Sequence, residues 1–182
     1  ESPQAPAWHI ERLPATELRV LVLTDGLATL LPDAGKPMNG TVTRRTLQQL
    51  ENEVLPEFIR ARGWFLRPRG DMVSAKLGPR SLWRHEQRSY VLSLVDVDGG
   101  GTKGRYFLPL TIGWEDGTDS VLKTAEWTVA KVREHARAGV LIDAFADPIF
   151  CLGLIQCMTH RSFVPFAGGA LRFEALAPIA PL

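Results

Sequence analysis

The chain has 182 residues, 45% apolar and 23% charged, enough for one sizeable domain whose core needs no disulfide or metal staple. Lys and Arg total 21 against 20 Asp and Glu, and this net charge of +1 argues against nucleic acid or an anionic membrane surface as partner. No stretch approaches the roughly 18 apolar residues of a membrane span, and Cys151 and Cys157 form no disulfide framework, so a cytoplasmic setting is expected.

Residues 1–42 read as a linker or connector. The start, Glu1-Ser2-Pro3-Gln4-Ala5-Pro6, lacks the basic and apolar regions of a signal peptide and begins without Met, as a processed or excised segment would. Leu18–Leu23 is a short β-like run closed by the turn signal Thr24-Asp25-Gly26. A flexible stretch with Pro32, Gly35, Pro37, Asn39 and Gly40 follows, and the compact domain is expected over 43–176. Its first element is a helix, because Leu47, Leu50, Val54, Leu55, Phe58 and Ile59 recur at three- and four-residue steps. Pro56 has no N–H to continue the ladder, which predicts a kink or split near Leu55, and Gly63 supplies a stop.

Four β-like segments come next: Asp71–Leu77, Tyr90–Val97, Arg105–Ile112 and Trp127–Arg133. The last competes with a helix, since Ala125–Ala136 holds good helix formers. The second and third are joined by the glycine-rich run Asp98–Gly104, which suits a hairpin. Asp147-Pro148 reads as an N-cap with proline at the first helical position, followed by the stripe Ile149, Leu152 and Ile155, with His160 and Arg161 at the negative end of the dipole. Six positions apart on such a helix, Cys151 and Cys157 would lie on different faces and not pair. Gly168-Gly169 and Leu171–Leu176 add a turn and a strand, and 177–182 is a proline-rich tail. The expected fold is α+β: an antiparallel sheet of about five strands, covered by an N-terminal amphipathic helix and a second helix near the C-terminus.

Few residues suggest chemistry. Asp96-Val97-Asp98-Gly99-Gly100-Gly101-Thr102-Lys103 resembles the phosphate-binding hairpin of actin-like and hexokinase-like kinases, with Asp98 and Thr102 as the groups that would act. The order Gly-Lys-Thr is missing, however, and a calcium loop would need a Glu where Phe107 stands. His9, His85, His135 and His160 are scattered, with no His-Glu-x-x-His spacing. Arg60, Arg62, Arg67 and Arg69 flank Trp64 and Phe65, a mixture able to stack on and neutralise nucleic acid. The plainer reading puts the aromatics in the core and leaves the arginines solvated or paired with Glu51, Glu53 and Glu57. Among the five tryptophans, Trp83, Trp114 and Trp127 are candidates for a sugar-stacking platform, although tryptophan serves mostly as a core anchor.

Three segments carry a family resemblance. They are Leu55-Pro56-Glu57-Phe58-Ile59-Arg60-Ala61-Arg62-Gly63-Trp64-Phe65, Arg105-Tyr106-Phe107-Leu108-Pro109-Leu110, and Gly139–Phe150 with its pattern Asp143-Ala144-Phe145-Ala146-Asp147. In order and spacing they resemble the N-terminal cap of the bacterial maltokinases, over roughly residues 45–176. The stretch Pro6-Ala7-Trp8 through Leu31 resembles the connector that joins trehalose synthase to the kinase in fused enzymes. Gly63 stands where that family has Arg, and the lysine after its aromatic pair is missing. The family's Ser-Asn-Thr-Ser, His-Gly-Asp and Asp-Phe-Glu kinase motifs occur nowhere in this chain.

The resemblance implies a cap domain that packs on a kinase lobe, in cis or in trans, and positions or regulates it. That kinase would transfer phosphate from ATP, with magnesium, to maltose, and trehalose synthase is a further implied partner. No catalytic, cofactor-binding or metal-binding residue is assigned to this chain, and no activity is expected of it alone. The rival reading is a stand-alone module for α-glucan or a small sugar. The cap reading predicts an exposed apolar patch on the sheet or the last helix.

Overall fold

The apolar stripe from Leu47 to Ile59 forms a helix that Pro56 divides. A computed structural model describes residues 20–23, 30, 40–62, 73–99, 102–115, 126–166 and 169–175. In it α1 (Gly40–Gln49) passes into a π-helical turn (Leu50–Val54) and then α2 (Leu55–Ala61). The Leu55 N–H donates to the Leu50 carbonyl, a five-residue step. This wide turn lies just ahead of the proline ring, which in a regular helix would crowd the carbonyl four residues back. Leu50, Val54, Leu55, Phe58 and Ile59 are all buried, while Arg44, Arg45, Asn52, Glu53, Glu57 and Arg60 face water. The stop expected at Gly63 lies outside the described residues.

The sheet is larger than the sequence suggests. Strands β1 (Val20–Leu23), β2 (Val73–His85), β3 (Arg88–Gly99), β4 (Thr102–Phe107), β5 (Leu110–Trp114), β6 (Thr128–Glu134) and β7 (Arg137–Asp143) make one seven-stranded sheet. Its order is β1-β6-β7-β5-β3-β2, with β4 also paired to β3. All pairings are antiparallel except β1 with β6, so the short run in the expected connector is built into the sheet. A separate hairpin, β8 (Phe163–Phe166) with β9 (Gly169–Arg172), follows α3 (Pro148–Thr159). The class is α+β, as expected, and the count of about five strands is corrected upward.

Three local causes explain the difference. Gly78-Pro79 reads as the end of a strand, yet β2 continues past it through a register shift between Leu77 and Arg80. The groups freed there are satisfied by side chains. Glu51 Oε1 accepts from the Leu77 N–H at 2.9 Å, and Arg80 donates to the carbonyls of Leu30, Leu77 and Gly78. Arg105–Ile112 is two strands, not one, because Pro109 cannot continue the ladder: β4 pairs with the end of β3, while β5 bridges β3 at Leu110–Val91 and pairs along β7. Where the sequence leaves strand and helix competing, the structure has the strand β6, Thr128–Glu134. Its buried residues Thr128, Val129, Ala130 and Val132 and the β6–β7 turn at His135, with φ of 51°, fix it in the sheet.

Helices cover both faces. On one, Val91, Val95 and Val97 of β3 join Leu50, Val54, Leu55, Phe58, Ile59, Leu110, Val132 and Leu141 in the main core. On the other, Tyr90 and Leu92 meet Phe150 and Leu154 of α3 and Val164 and Phe173 of the terminal hairpin. This explains the near-continuous apolar run Tyr90–Val95, since a strand buried on both sides cannot alternate. Ser93 interrupts the run, and its hydroxyl donates to the Leu108 carbonyl. Among the described residues no helix is long and apolar enough to cross a membrane.

Candidate functional site

The three segments singled out by sequence meet around Asp143. Its backbone pairs with Leu110, the Ala144 N–H donates to the Pro109 carbonyl at 2.8 Å, and Arg62, at the end of α2, feels its charge. The Asp143 carboxylate is 1% exposed and caps the short 3-10 turn Ala144–Ala146 by accepting from the Phe145 N–H at 3.1 Å. Burial pushes its pKa up, and the Phe145 N–H and the Arg62 guanidinium pull it back. Arg62 lies over Trp127 at 4.5 Å and Phe58 at 5.1 Å, where burial lowers its pKa. One of its terminal nitrogens is buried without a hydrogen-bond partner among the described residues.

Four residues on, a second acidic cap repeats the device. Asp147 accepts from the Ile149 N–H at 3.0 Å, starting α3, from the buried Tyr90 hydroxyl at 2.9 Å and from Arg88 at 3.1 Å. Desolvation and this bond hold the Tyr90 hydroxyl well above its ordinary pKa. The pattern Asp-Ala-x-x-Asp is therefore two successive caps that turn the chain from β7 through a 3-10 turn into α3. Both carboxylates cap helical turns, and Asp147 also accepts from the Tyr90 and Arg88 side chains.

The kinase-like hairpin is a closed charge ladder. Asp96 stands opposite Arg105, with an Nε–Oδ1 distance of 2.6 Å, and Asp98 opposite Lys103 at 3.4 Å. Arg105 lowers the Asp96 pKa through this bond. Thr102 pairs with Gly99 in the ladder, while Gly100 and Gly101 lie outside the described residues.

The structure gives each candidate tryptophan a different neighbourhood. Trp83 stacks on His85, with centroids 5.2 Å apart, and meets Tyr90 and Phe150 in the core under α3. Trp114 has the Arg137 guanidinium 4.3 Å from its ring, as Trp127 has Arg62. One ring face of each of these two is thus occupied by a guanidinium. His135 sits in a turn, and a ring nitrogen of His160 bonds the Gln156 carbonyl; His9, Trp64, Phe65, Arg67 and Arg69 lie outside the described residues. No cluster of His, Cys, Asp and Glu among the described residues could hold a metal. Cys151 and Cys157 are free thiols on α3, and burial raises both pKa values, so neither is an activated nucleophile.

What sequence reasoning did not pick out is which residues form the outer surface of α3. From Pro148 to Thr159 the helix contains no charged residue. Its exposed stripe is Pro148, Leu152, Gln156 and Thr159, with Leu152 46% exposed and Phe145, just before the helix, 41% exposed. The Thr159 hydroxyl is turned back onto the Ile155 carbonyl. The stripe read from sequence, Ile149, Leu152 and Ile155, is not the buried one: Phe150, Gly153 and Leu154 face the core, and Leu152 faces out.

Comparison with protein-family models, with curated proteins and with solved structures gives no match. The functional reading therefore rests on the chain's own residues.

Proposed function

We propose that this chain is a non-catalytic cap domain that docks, through the outward stripe of α3, on a kinase lobe of the maltokinase type. The observation that supports this most is a solvent-facing helix without a charge, with Leu152 and Phe145 outward. A helix finished against water carries polar residues on its outer face, as α1–α2 does. Isolated exposed apolar residues are ordinary, but α3 offers only Gln156 and Thr159 as polar groups along its whole outer stripe, and the Thr159 hydroxyl is already engaged. Covering such a stripe with a partner removes apolar surface from water at roughly 25 cal/mol per Å².

The resemblance to the maltokinase cap supplies the kind of partner. The residues that carry it, among them Pro56, Pro109, Asp143 and Asp147, act in this chain as helix divider, strand divider and caps. That is the role expected of motifs that specify a shell. On this reading ATP, magnesium and transfer of phosphate to maltose belong to the partner in the cytoplasm, and this chain positions or regulates it.

The test is to titrate fluorescently labelled chain with a maltokinase catalytic lobe supplied in trans. Saturable binding is expected, weakened at least about tenfold by Leu152→Glu (about 1.4 kcal/mol), with the variant's circular dichroism and melting unchanged. Binding indifferent to Leu152→Glu, or ATP-dependent phosphorylation of maltose by the chain alone, would overturn the proposal.

A further inference from the structure

The chain leaving α3 closes the helix with a Schellman motif. The Ser162 N–H donates to the Cys157 carbonyl at 2.9 Å and the Arg161 N–H to the Met158 carbonyl at 3.2 Å. That geometry puts a left-handed residue after the cap, where glycine is the usual occupant because it has no Cβ to clash. Here the position is held by Arg161, with φ of 50°.

Arg161 lies at a cleft of about 360 Å³ that it lines with Phe163, Ala170, Arg172 and Glu174. Phe163 and Arg172 are directly opposite each other in the β8–β9 ladder, so their side chains share one face of the hairpin. The other face is spent on Val164 and Phe173, which are buried in the core under α3. The outward Phe163 is 67% exposed, more than Phe145 or Leu152. Arg161 and Arg172 are both exposed. The cleft thus brings the exposed Phe163 ring together with the exposed Arg161 and Arg172 side chains, with Glu174 beside them.

We propose that this cleft receives an acidic segment of the protein partner, an apolar side chain lying on Phe163 while carboxylates pair with Arg161 and Arg172. Guanidiniums form forked, two-bond pairs with carboxylates, and a stacking surface beside them selects a segment that alternates apolar and acidic residues. The open cleft favours such a segment over a free small anion. A lone anion would stay largely hydrated and screened by salt, whereas a segment adds contact with Phe163 and is held by the neighbouring α3 interface. The inference rests on the docking reading above and names the partner chemistry at one end of that interface.

The probe is a fluorescein-labelled peptide of alternating Glu and Leu, followed by anisotropy against the full chain at low salt. Expected is binding that weakens at least about tenfold in Arg161→Gly and in Arg172→Gln. It should also weaken with added salt and vanish when Gln replaces Glu in the peptide. Arg161→Gly should keep or raise the melting temperature, since glycine suits the left-handed position, so lost binding cannot be blamed on lost folding. Gln48→Glu, an exposed α1 position across the sheet from the hairpin, should leave peptide binding intact. No binding, equal binding by the arginine variants, equal binding of the Gln peptide, or displacement by inorganic phosphate at matched concentration would each overturn the acidic-segment proposal. If the peptide fails while the kinase lobe still binds in a Leu152-dependent way, the cleft assignment falls and the docking reading stands.

Discussion

The two helical regions of this chain solve the same packing problem and finish differently. α1–α2 buries Leu50, Val54, Leu55, Phe58 and Ile59 on one face of the sheet and presents Arg44, Arg45, Glu53, Glu57 and Arg60 to water. α3 buries Phe150, Gly153 and Leu154 on the opposite face and presents Pro148, Leu152 and Gln156. Their inward stripes do equivalent work, so core formation cannot explain the contrast. The outer faces differ because one is finished against solvent and the other, on our reading, against another protein.

The contrast breaks most severely if α3 loses its seat. Asp147→Ala removes the α3 N-cap, the partner of Arg88 and the acceptor of the buried Tyr90 hydroxyl, and should cost about 3 kcal/mol in urea unfolding. Gly153→Ala should cost about 2 kcal/mol, because the added Cβ would meet His85 Cδ2 at 2.6 Å and the Trp83 ring at 2.8 Å. An equal destabilisation by alanine at an exposed α1 position such as Gln48 would remove that explanation.

Smaller effects sharpen the account of the acidic groups. The Asp143 carboxyl holds its proton more tightly in the folded chain than in the unfolded one, because burial raises its pKa. Its ionisation therefore lowers stability as pH rises from the ordinary carboxylate value of about 4 through the raised one. Asp143→Asn keeps a capping side chain and should flatten that part of the stability–pH curve; a curve unchanged by the substitution would count against the assignment. Asp96 titrates in the opposite sense, its pKa lowered by Arg105, so any contribution is lost as pH falls. The pair is exposed, and Asp96→Ala should shift the urea midpoint by less than about 0.5 kcal/mol of stability. A larger loss would mean that the hairpin does more than turn the chain.

Residues whose cue is local were read correctly from sequence. Pro56 splits its helix, Asp147-Pro148 opens α3, and the glycines between Val97 and Arg105 join two strands of a hairpin. What could not be read depended on partners far along the chain. Gly78-Pro79 looks like a stop until Glu51 and Arg80 supply the bonds that let β2 continue. β7 was hidden inside a segment read only as the approach to α3, and β8 is four residues long with a proline in it. At the candidate surface, the tryptophans and the Asp98 loop drew attention because their chemistry is conspicuous. For α3 an exposed patch is expected on the last helix or the sheet, but the pattern Ile149, Leu152, Ile155 does not tell which residues face out, because Phe150, Gly153 and Leu154 take the core side. Arg161 was read as a complement to the helix dipole; its left-handed backbone is a property of the fold that no residue pattern displays.

The central claim is tested most directly by placing one carboxylate on each outer face in turn and measuring affinity for a maltokinase catalytic lobe. Leu152→Glu and Arg45→Glu both alter exposed helical positions, and neither should disturb folding. The account predicts at least about tenfold weaker binding for the first and an unchanged constant for the second. Equal losses, or a loss confined to Arg45→Glu, would contradict it.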